Sequence, residues 1–300
     1  MKEPAKSLIR ALRPPWPKRT QHGGRGDSLR DLYESSIDSE NRQRSIAEFA
    51  AREKQIPRCA RNDTQQAIAL EPMTKPLVIA IDGPAGAGKS TVAQMLARRL
   101  QLDYVDSGAT YRAAALKVIE SGVAPEDEDG IARVVAAAEI RFVPGRPQPR
   151  VFLDGRDITA EIRTREVTAA ASRVSRLPAV RRKLIALQRS LLKAPGVVME
   201  GRDIGTVVFP EAPLKIFLKA DPEERARRRV QQNQEQGHAS SLKDTLSAIS
   251  NRDHLDAERK ASPLVPAADA SVLDSTFLSA EEVVEQILEL ARKKKLPGPR

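Results

Sequence analysis

Ile79-Ala-Ile-Asp-Gly-Pro-Ala-Gly-Ala-Gly-Lys-Ser-Thr91 is the stretch that decides the fold of this chain. Gly83, Gly88, Lys89 and Ser90 fit the phosphate-loop pattern G-x-x-x-x-G-K-[ST] at the correct spacing. The flanks agree: the apolar run Leu77–Ile81 predicts a buried strand before the loop, and Val92–Leu100 predicts a helix after it. Each residue type has a physical job. Glycines let the backbone curl until successive N–H groups point at phosphate oxygens, and the helix N-terminus adds a favourable dipole. Lys89 brings a mobile positive charge to the β- and γ-phosphates, and the Ser90 hydroxyl is the expected Mg²⁺ ligand, with Thr91 beside it. The pattern alone arises by chance in roughly one chain of this length in a hundred, and the strand and helix around it make a chance match rarer. The chain is expected to bind a nucleoside triphosphate.

Composition sets the outer bounds. Three hundred residues, 40% hydrophobic and 30% charged, suit one large α/β domain or two small ones. A single cysteine, Cys59, excludes an internal disulfide framework and suits a reducing cytoplasm. No apolar run approaches the ~18 residues of a membrane span. The N-terminal segment lacks the apolar core of a secretory signal, since Leu8-Ile9 and Leu12 are interrupted by arginine and proline. A net charge of +10 fits either nucleic acid or small anionic substrates. Aromatics at 3% are too few for base-stacking platforms, and the arginines sit singly beside aspartates and glycines rather than in one basic stripe. The expectation is therefore an enzyme of small anions with no nucleic-acid or membrane partner.

Residues 1–72 read differently from the rest. Pro14-Pro15-Trp16-Pro17, Gly23-Gly24 and mixed charges give no strand pattern, and only Ile46–Arg52 hints at a short helix. Asp27, Asp31 and Glu34 argue against an organelle transit peptide, which is acid-poor. The segment is expected to be a disordered extension, with Met73 as the biological start; a regulatory or interaction tail is the competing reading.

From Lys75 strands and helices alternate. Leu77–Asp82, Tyr104–Asp106, Gly196–Met199, Leu214–Leu218 and Ala270–Leu273 have strand length, and a helix is expected around Thr110–Glu120. Such alternation predicts a parallel sheet with helices on both faces. The last helix is marked by Ser279 as cap, Glu282 completing a capping box, and Lys293–Lys295 before Pro297-Gly298-Pro299. Ile140–Val143 and Arg150–Gly155, around Pro144–Pro149, depart from the alternation and predict antiparallel strands. That small β insert is expected to overhang a binding cleft.

A phosphate loop does not by itself separate motor, GTPase, transporter subunit and kinase. No Asn-Lys-x-Asp guanine-reading motif is present. Instead arginines recur near element ends: Arg112, Arg163, Arg181, Arg202, Arg252 and Arg259. Their fixed fork of donors matches phosphate geometry, and several converging arginines can hold two phosphorylated substrates at once.

Five stretches together resemble a known family. Asp82–Thr91, Asp106-Ser-Gly-Ala-Thr-Tyr-Arg112, Glu200-Gly-Arg-Asp-Ile-Gly-Thr-Val-Val-Phe-Pro210, Arg252-Asp-His-Leu-Asp-Ala-Glu-Arg259 and Pro263–Ala270 with Leu273-Asp-Ser275 are similar to those of bacterial cytidylate kinases. The resemblance covers roughly residues 75–295. It implies a P-loop nucleoside-monophosphate-kinase fold in residues 73–300, an insert at about 134–172 over the monophosphate site, and a lid at about 222–240. It implies ATP and Mg²⁺ as co-substrate and cofactor, CMP and dCMP as acceptors, and a cytoplasmic monomer. ATP would lie on Gly83, Pro84, Ala85, Gly86, Ala87, Gly88, Lys89, Ser90 and Thr91. Ser172, Arg181 and Asp203 would read the cytosine, Ser107 and Asp256 the sugar side, and Arg112, Arg202 and Arg252 the acceptor phosphate, with Arg259 near it. Lys89, Arg112, Arg202, Arg252 and Arg259 would form the catalytic set. The arginines of Asp221–Arg229 resemble the lid over the transferred group. Glu200 departs from the aspartate of other members but keeps the charge; Ser90 replaces the glycine of some. His238 and His254 are expected to be solvated, because no step needs their proton chemistry. A kinase of UMP or AMP and a nucleic-acid-stimulated ATPase are the rivals.

Overall fold

Strand β1 (Leu77–Asp82) is buried along its whole length, and its side chains alternate between two separate cores. The computed structural model describes residues 75–144, 149–235, 237, 239–259 and 262–296. The expectations for residues 1–72, Met73 and His238 lie outside them. Val78 and Ala80 enter one core while Leu77, Ile79 and Ile81 enter the other, as period-two geometry requires. A strand covered on both faces belongs to a parallel sheet, and that is what forms. With β2 (Asp103–Asp106), β6 (Gly196–Gly201), β7 (Leu214–Lys219) and β8 (Ser271–Asp274), it makes a sheet in the order β2-β6-β1-β7-β8. All pairings are parallel.

Helix α1 (Lys89–Leu100) and helix α8 (Ala280–Lys293) cover one face, packing Val92, Leu96 and Leu100 with Val284, Ile287 and Leu288. Helices α2 (Ser107–Ser121), α3 (Glu128–Ala137), α4 (Arg165–Val174) and α5 (Pro178–Ser190) build the opposite side. Local sequence starts these helices. Asp106 accepts from the Ala109 N–H, Thr164 from Val167, and Ser279 with Glu282 completes the expected capping box. Helix α2 begins three residues before the apolar pattern suggested, because Asp106 caps it directly at the strand end.

The insert is a three-stranded antiparallel sheet, β3 (Ile140–Val143), β4 (Arg150–Leu153) and β5 (Arg156–Asp157). Ile140, Phe142, Val151 and Leu153 face inward, while Arg141 and Arg150 stack on Phe152 outside. Strand β5 is too short for its periodicity to be read from sequence.

Chain after β7 forms helix α6 (Pro222–Glu235) and helix α7 (Leu242–Ala257), which pack together. Pro222 occupies the first turn of α6, and the Asp221 carboxylate accepts the Glu223 N–H at 2.8 Å, the capping read from the sequence.

Candidate active site

Every strand of the large sheet delivers polar residues at its carboxyl end, where open α/β sheets bind ligands. Asp82 ends β1, Asp106 ends β2, Arg202 and Asp203 follow β6, Asp221 follows β7 and Ser275 follows β8. Many of these groups are buried, among them Asp82, Lys89, Arg181, Glu200, Asp203, Asp256 and Arg259. Burying charge is costly unless each charge is partnered, so such density marks a working site.

The loop after β1 forms the donor half. Gly83 has φ +146°, and a Cβ there would lie 2.0 Å from the Leu218 carbonyl oxygen, so only glycine lets the loop leave the sheet at this point. Lys89 Nζ donates to the Pro84 carbonyl at 2.7 Å, curled over the loop it serves. Burial, aided by the nearby Arg202 charge and then Arg252, pulls the Lys89 ammonium down to about 7, against the pull of Glu200 and Asp82. Glu200 stands beside it. Burial and then the Asp106 carboxylate raise the Glu200 pKa, while Lys89 and the Ser90 hydroxyl favour its charged form. Tyr104 on the neighbouring strand donates its hydroxyl to Glu200 Oε1 at 2.5 Å. Ser275 Oγ donates to the Ala87 carbonyl at 3.0 Å and also meets Arg228 at 3.1 Å, tying the loop after β8 to the phosphate loop.

The acceptor half lies around the end of β6. Arg202 Nε donates to Asp256 Oδ2 at 2.9 Å, and Arg259 meets the other carboxylate oxygen at 3.5 Å. Burial opposes the Asp256 charge, but Arg202 and then Arg259 prevail and hold its pKa below the usual range. Arg112 donates to Asp106 Oδ2 at 2.7 Å, holding that carboxyl low in spite of its burial. Arg252 is brought down to about 10 by burial first, then by Arg202, with Arg112 and Arg229 adding repulsion. Its buried Nε has no hydrogen-bond partner among the described residues. Arg202 and Arg252 both lower the Lys89 pKa, and Arg202 is bonded to Asp256 on the helix that carries Arg252. Arg225 ties that helix through Asp253 to Ala85 of the phosphate loop, so the two halves converge on one space.

A third group lies deeper. Arg181 and Asp203 form a buried ion pair through Nη2 and Oδ2, and Arg181 Nη1 also donates to the Ser175 carbonyl at 3.2 Å. The Tyr111 ring lies under the Arg181 guanidinium, 5.6 Å from it. Ser172 joins this group through Ser175, whose hydroxyl donates to the Ser172 carbonyl at 3.0 Å. Ser107 is buried where the ends of β2 and β6 meet, since a Cβ on Gly201 would lie 2.5 Å from its Oγ.

The expected lid arginines divide by role. Arg225 is buried against the phosphate loop, Arg227 pairs with Glu223 and Glu224 on the outer surface, and Arg228 donates to Ser275. Arg229 faces the acceptor side, where its pKa is lowered by burial and then by Arg112 and Arg165. His254 is exposed and meets Glu258 at 3.0 Å, as expected for a solvated histidine.

Sequence reasoning gave no role to several groups that the fold places here. Asp82 accepts the Ile204 and Gly205 N–H groups at 2.8 and 2.7 Å, anchoring the turn of π-helix (Ile204–Val208) that follows Arg202-Asp203. Burial raises its pKa to about 6 even against those two donors. Tyr104 and Tyr111 were likewise passed over, because their partners Glu200 and Arg181 lie far along the chain.

A family model for cytidylate kinase matches residues 79–293. A cytidylate kinase of Pelotomaculum thermopropionicum is 50% identical over 211 residues, covering 70% of this chain and 93% of that protein. One from Salmonella choleraesuis is 49% identical over 217 residues, covering 72% of this chain and 96% of that protein.

Proposed function

The chain belongs to the cytidylate kinase family, and from that premise we propose how its own residues carry out phosphoryl transfer from ATP to CMP and dCMP. The enzyme is a nucleoside monophosphate kinase. The observation that carries the assignment of roles is the convergence of Lys89 with Arg202 and Arg252 around one space at the sheet edge. A donor triphosphate on the loop from Gly83 to Thr91 would present its γ-phosphate to Lys89. An acceptor phosphate held by Arg112, Arg202 and Arg252, with Arg259 bracing Asp256, would lie against it. The buried Arg252 Nε, without a hydrogen-bond partner among the described residues, supports an anion at that position.

Cytosine would be read at Arg181 and Asp203, with Ser172 behind them. A carboxylate accepts from the exocyclic amine of cytosine, whereas uracil offers a carbonyl there. Asp256 and Ser107 would meet the sugar. The Asp203 carboxylate is held in place by its buried pairing with Arg181, so base reading is prearranged in the folded chain.

No general base is required. A nucleoside monophosphate already presents an ionised oxygen, its second pKa being about 6. Catalysis is alignment plus stabilisation of charge on the transferring group, which Lys89 and the arginines supply. Hard oxygen donors at Ser90 and Glu200 fit Mg²⁺, Ser90 as direct ligand and Glu200 toward its water shell. When bound, the ion would neutralise charge shared by the donor phosphates.

Arginines turned inward on carboxylates, rather than spread over one face, support small nucleotides over nucleic acid as partners. Among the described residues no helix is long and apolar enough to cross a membrane; we place the enzyme in the cytoplasm with its substrates. A coupled assay with Mg-ATP and a panel of monophosphates tests the reading. CMP and dCMP should be turned over far faster than UMP or AMP, and fast turnover of UMP with little of CMP would overturn it.

A further inference from the structure

Arg225 is used by none of the steps above, yet it is among the most buried charges in the protein. It sits in the first turn of α6 and spends its donors in three directions. Nε donates to the Ala220 carbonyl at 3.0 Å, and Nη1 donates both to the Ala85 carbonyl of the phosphate loop at 3.2 Å and to Asp253 Oδ2 at 2.5 Å. Packing reinforces the contact with the phosphate loop: a Cβ on Gly86 would lie 3.0 Å from the Arg225 Cβ and carbonyl oxygen. Asp253 is the neighbour of Arg252 on α7, and its buried Oδ1 has no hydrogen-bond partner among the described residues. One guanidinium therefore touches the donor loop at Ala85 and the carboxylate of Asp253, the residue next to an acceptor clamp.

We propose that the Arg225–Asp253 pair positions helix α7 against the phosphate loop, so that Arg252 meets the acceptor phosphate in register with the γ-phosphate on Lys89. The inference rests on the reading of Arg252 as a phosphate clamp. Neither Arg225 nor Asp253 touches the reacting atoms in this scheme; both are positioning residues. Because transfer depends on in-line alignment, a displacement of about 1 Å can cost as much as ~10²-fold in rate. A lone nucleotide, by contrast, can follow a clamp displaced by so little, since no in-line register is demanded of it, so binding of one nucleotide should change little. This separation distinguishes positioning from simple support of the fold.

The test measures kcat alongside the affinity of Mg-ATP alone and of CMP alone by calorimetry, in the full chain. Asp253→Ala should lower kcat by about 10-fold or more while both single-nucleotide dissociation constants stay within about 3-fold. Asp253→Asn, which keeps an acceptor oxygen, should recover most of the rate. Arg225→Lys should reproduce the loss, since the shorter lysine lacks the rigid fork that holds the Ala220 carbonyl through Nε while Nη1 holds Ala85 and Asp253, and it serves as the second variant if Asp253→Ala does not fold. A kcat within 2-fold of the unaltered enzyme in a folded variant overturns the proposal. So does a fall in CMP affinity that accounts for the whole loss of rate. Arg252→Ala is the control on the underlying reading: if it leaves CMP affinity unchanged, the clamp assignment fails, whatever Asp253 does.

Discussion

Asp203→Ala should damage folding and base choice together, and the structure allows the two effects to be separated. The side chains of Arg181 and Asp203 are only 4% and 6% exposed. Without the carboxylate, the Arg181 guanidinium keeps the Ser175 carbonyl at 3.2 Å and the Tyr111 ring face, and no counter-charge in direct contact. Removing one partner of a buried ion pair costs about 3–5 kcal/mol. At about 2–4 °C per kcal/mol for a domain of this size, Tm should fall by roughly 6–20 °C. Combining Asp203→Ala with Arg181→Leu leaves no charge to strand, so much of that loss should return. Base choice should not return with it. A lost charge-assisted hydrogen bond to the cytosine amine is worth about 1.5–3 kcal/mol, or roughly 10- to 150-fold in kcat/KM for CMP, with little effect on UMP. Thermal denaturation and a coupled assay on CMP and UMP, run on the two variants and the unaltered enzyme, supply all the quantities needed. An Asp203→Ala enzyme that melts within about 2 °C of the original would refute the buried-charge argument, and an unchanged CMP/UMP ratio in both variants would refute cytosine reading.

Other expectations follow from single contacts. Lys89→Ala should leave a folded protein with activity reduced by at least ~10²-fold at saturating Mg-ATP, because it removes a charge aimed at the transferring group; near-normal turnover would refute the phosphate-loop assignment. Lys89 also predicts proton uptake. Its pKa near 7 in the free chain leaves it mostly neutral at pH 8, and a bound polyanion raises that pKa, so ATP should take up close to one proton at pH 8 and progressively less as pH falls below 7. Calorimetry in buffers of different ionisation enthalpy reads this directly, and absence of uptake at pH 8 contradicts it. Gly83→Ala would place a Cβ 2.0 Å from a backbone oxygen at a φ of +146°, so the variant should be insoluble or melt many degrees lower, as expression and circular dichroism would report.

The sequence by itself determined the architecture of the α/β core and the donor half of the site. Apolar runs of strand length specify buried parallel strands because a parallel sheet leaves no face for water, and the phosphate loop is a local motif whose glycines, lysine and serine act within one turn of chain. The capping box at Ser279 and Glu282 was legible for the same reason: its partners are three residues apart. The acceptor half was legible only as a set of arginines whose roles came through family resemblance. Which carboxylate each arginine would meet was decided by tertiary structure. Arg202 finds Asp256 and Arg181 finds Asp203 across sequence separations of 54 and 22 residues, distances over which spacing encodes nothing. Asp82 shows the limit most clearly. It stands inside the most recognisable motif of the chain, yet its carboxylate holds the backbone of Ile204 and Gly205, 122 and 123 residues away, because parallel pairing of β1 with β6 brings the two strand ends side by side. Local chemistry is written in neighbouring residues, whereas the pairing of charges across a sheet edge exists only once the strands have ordered themselves.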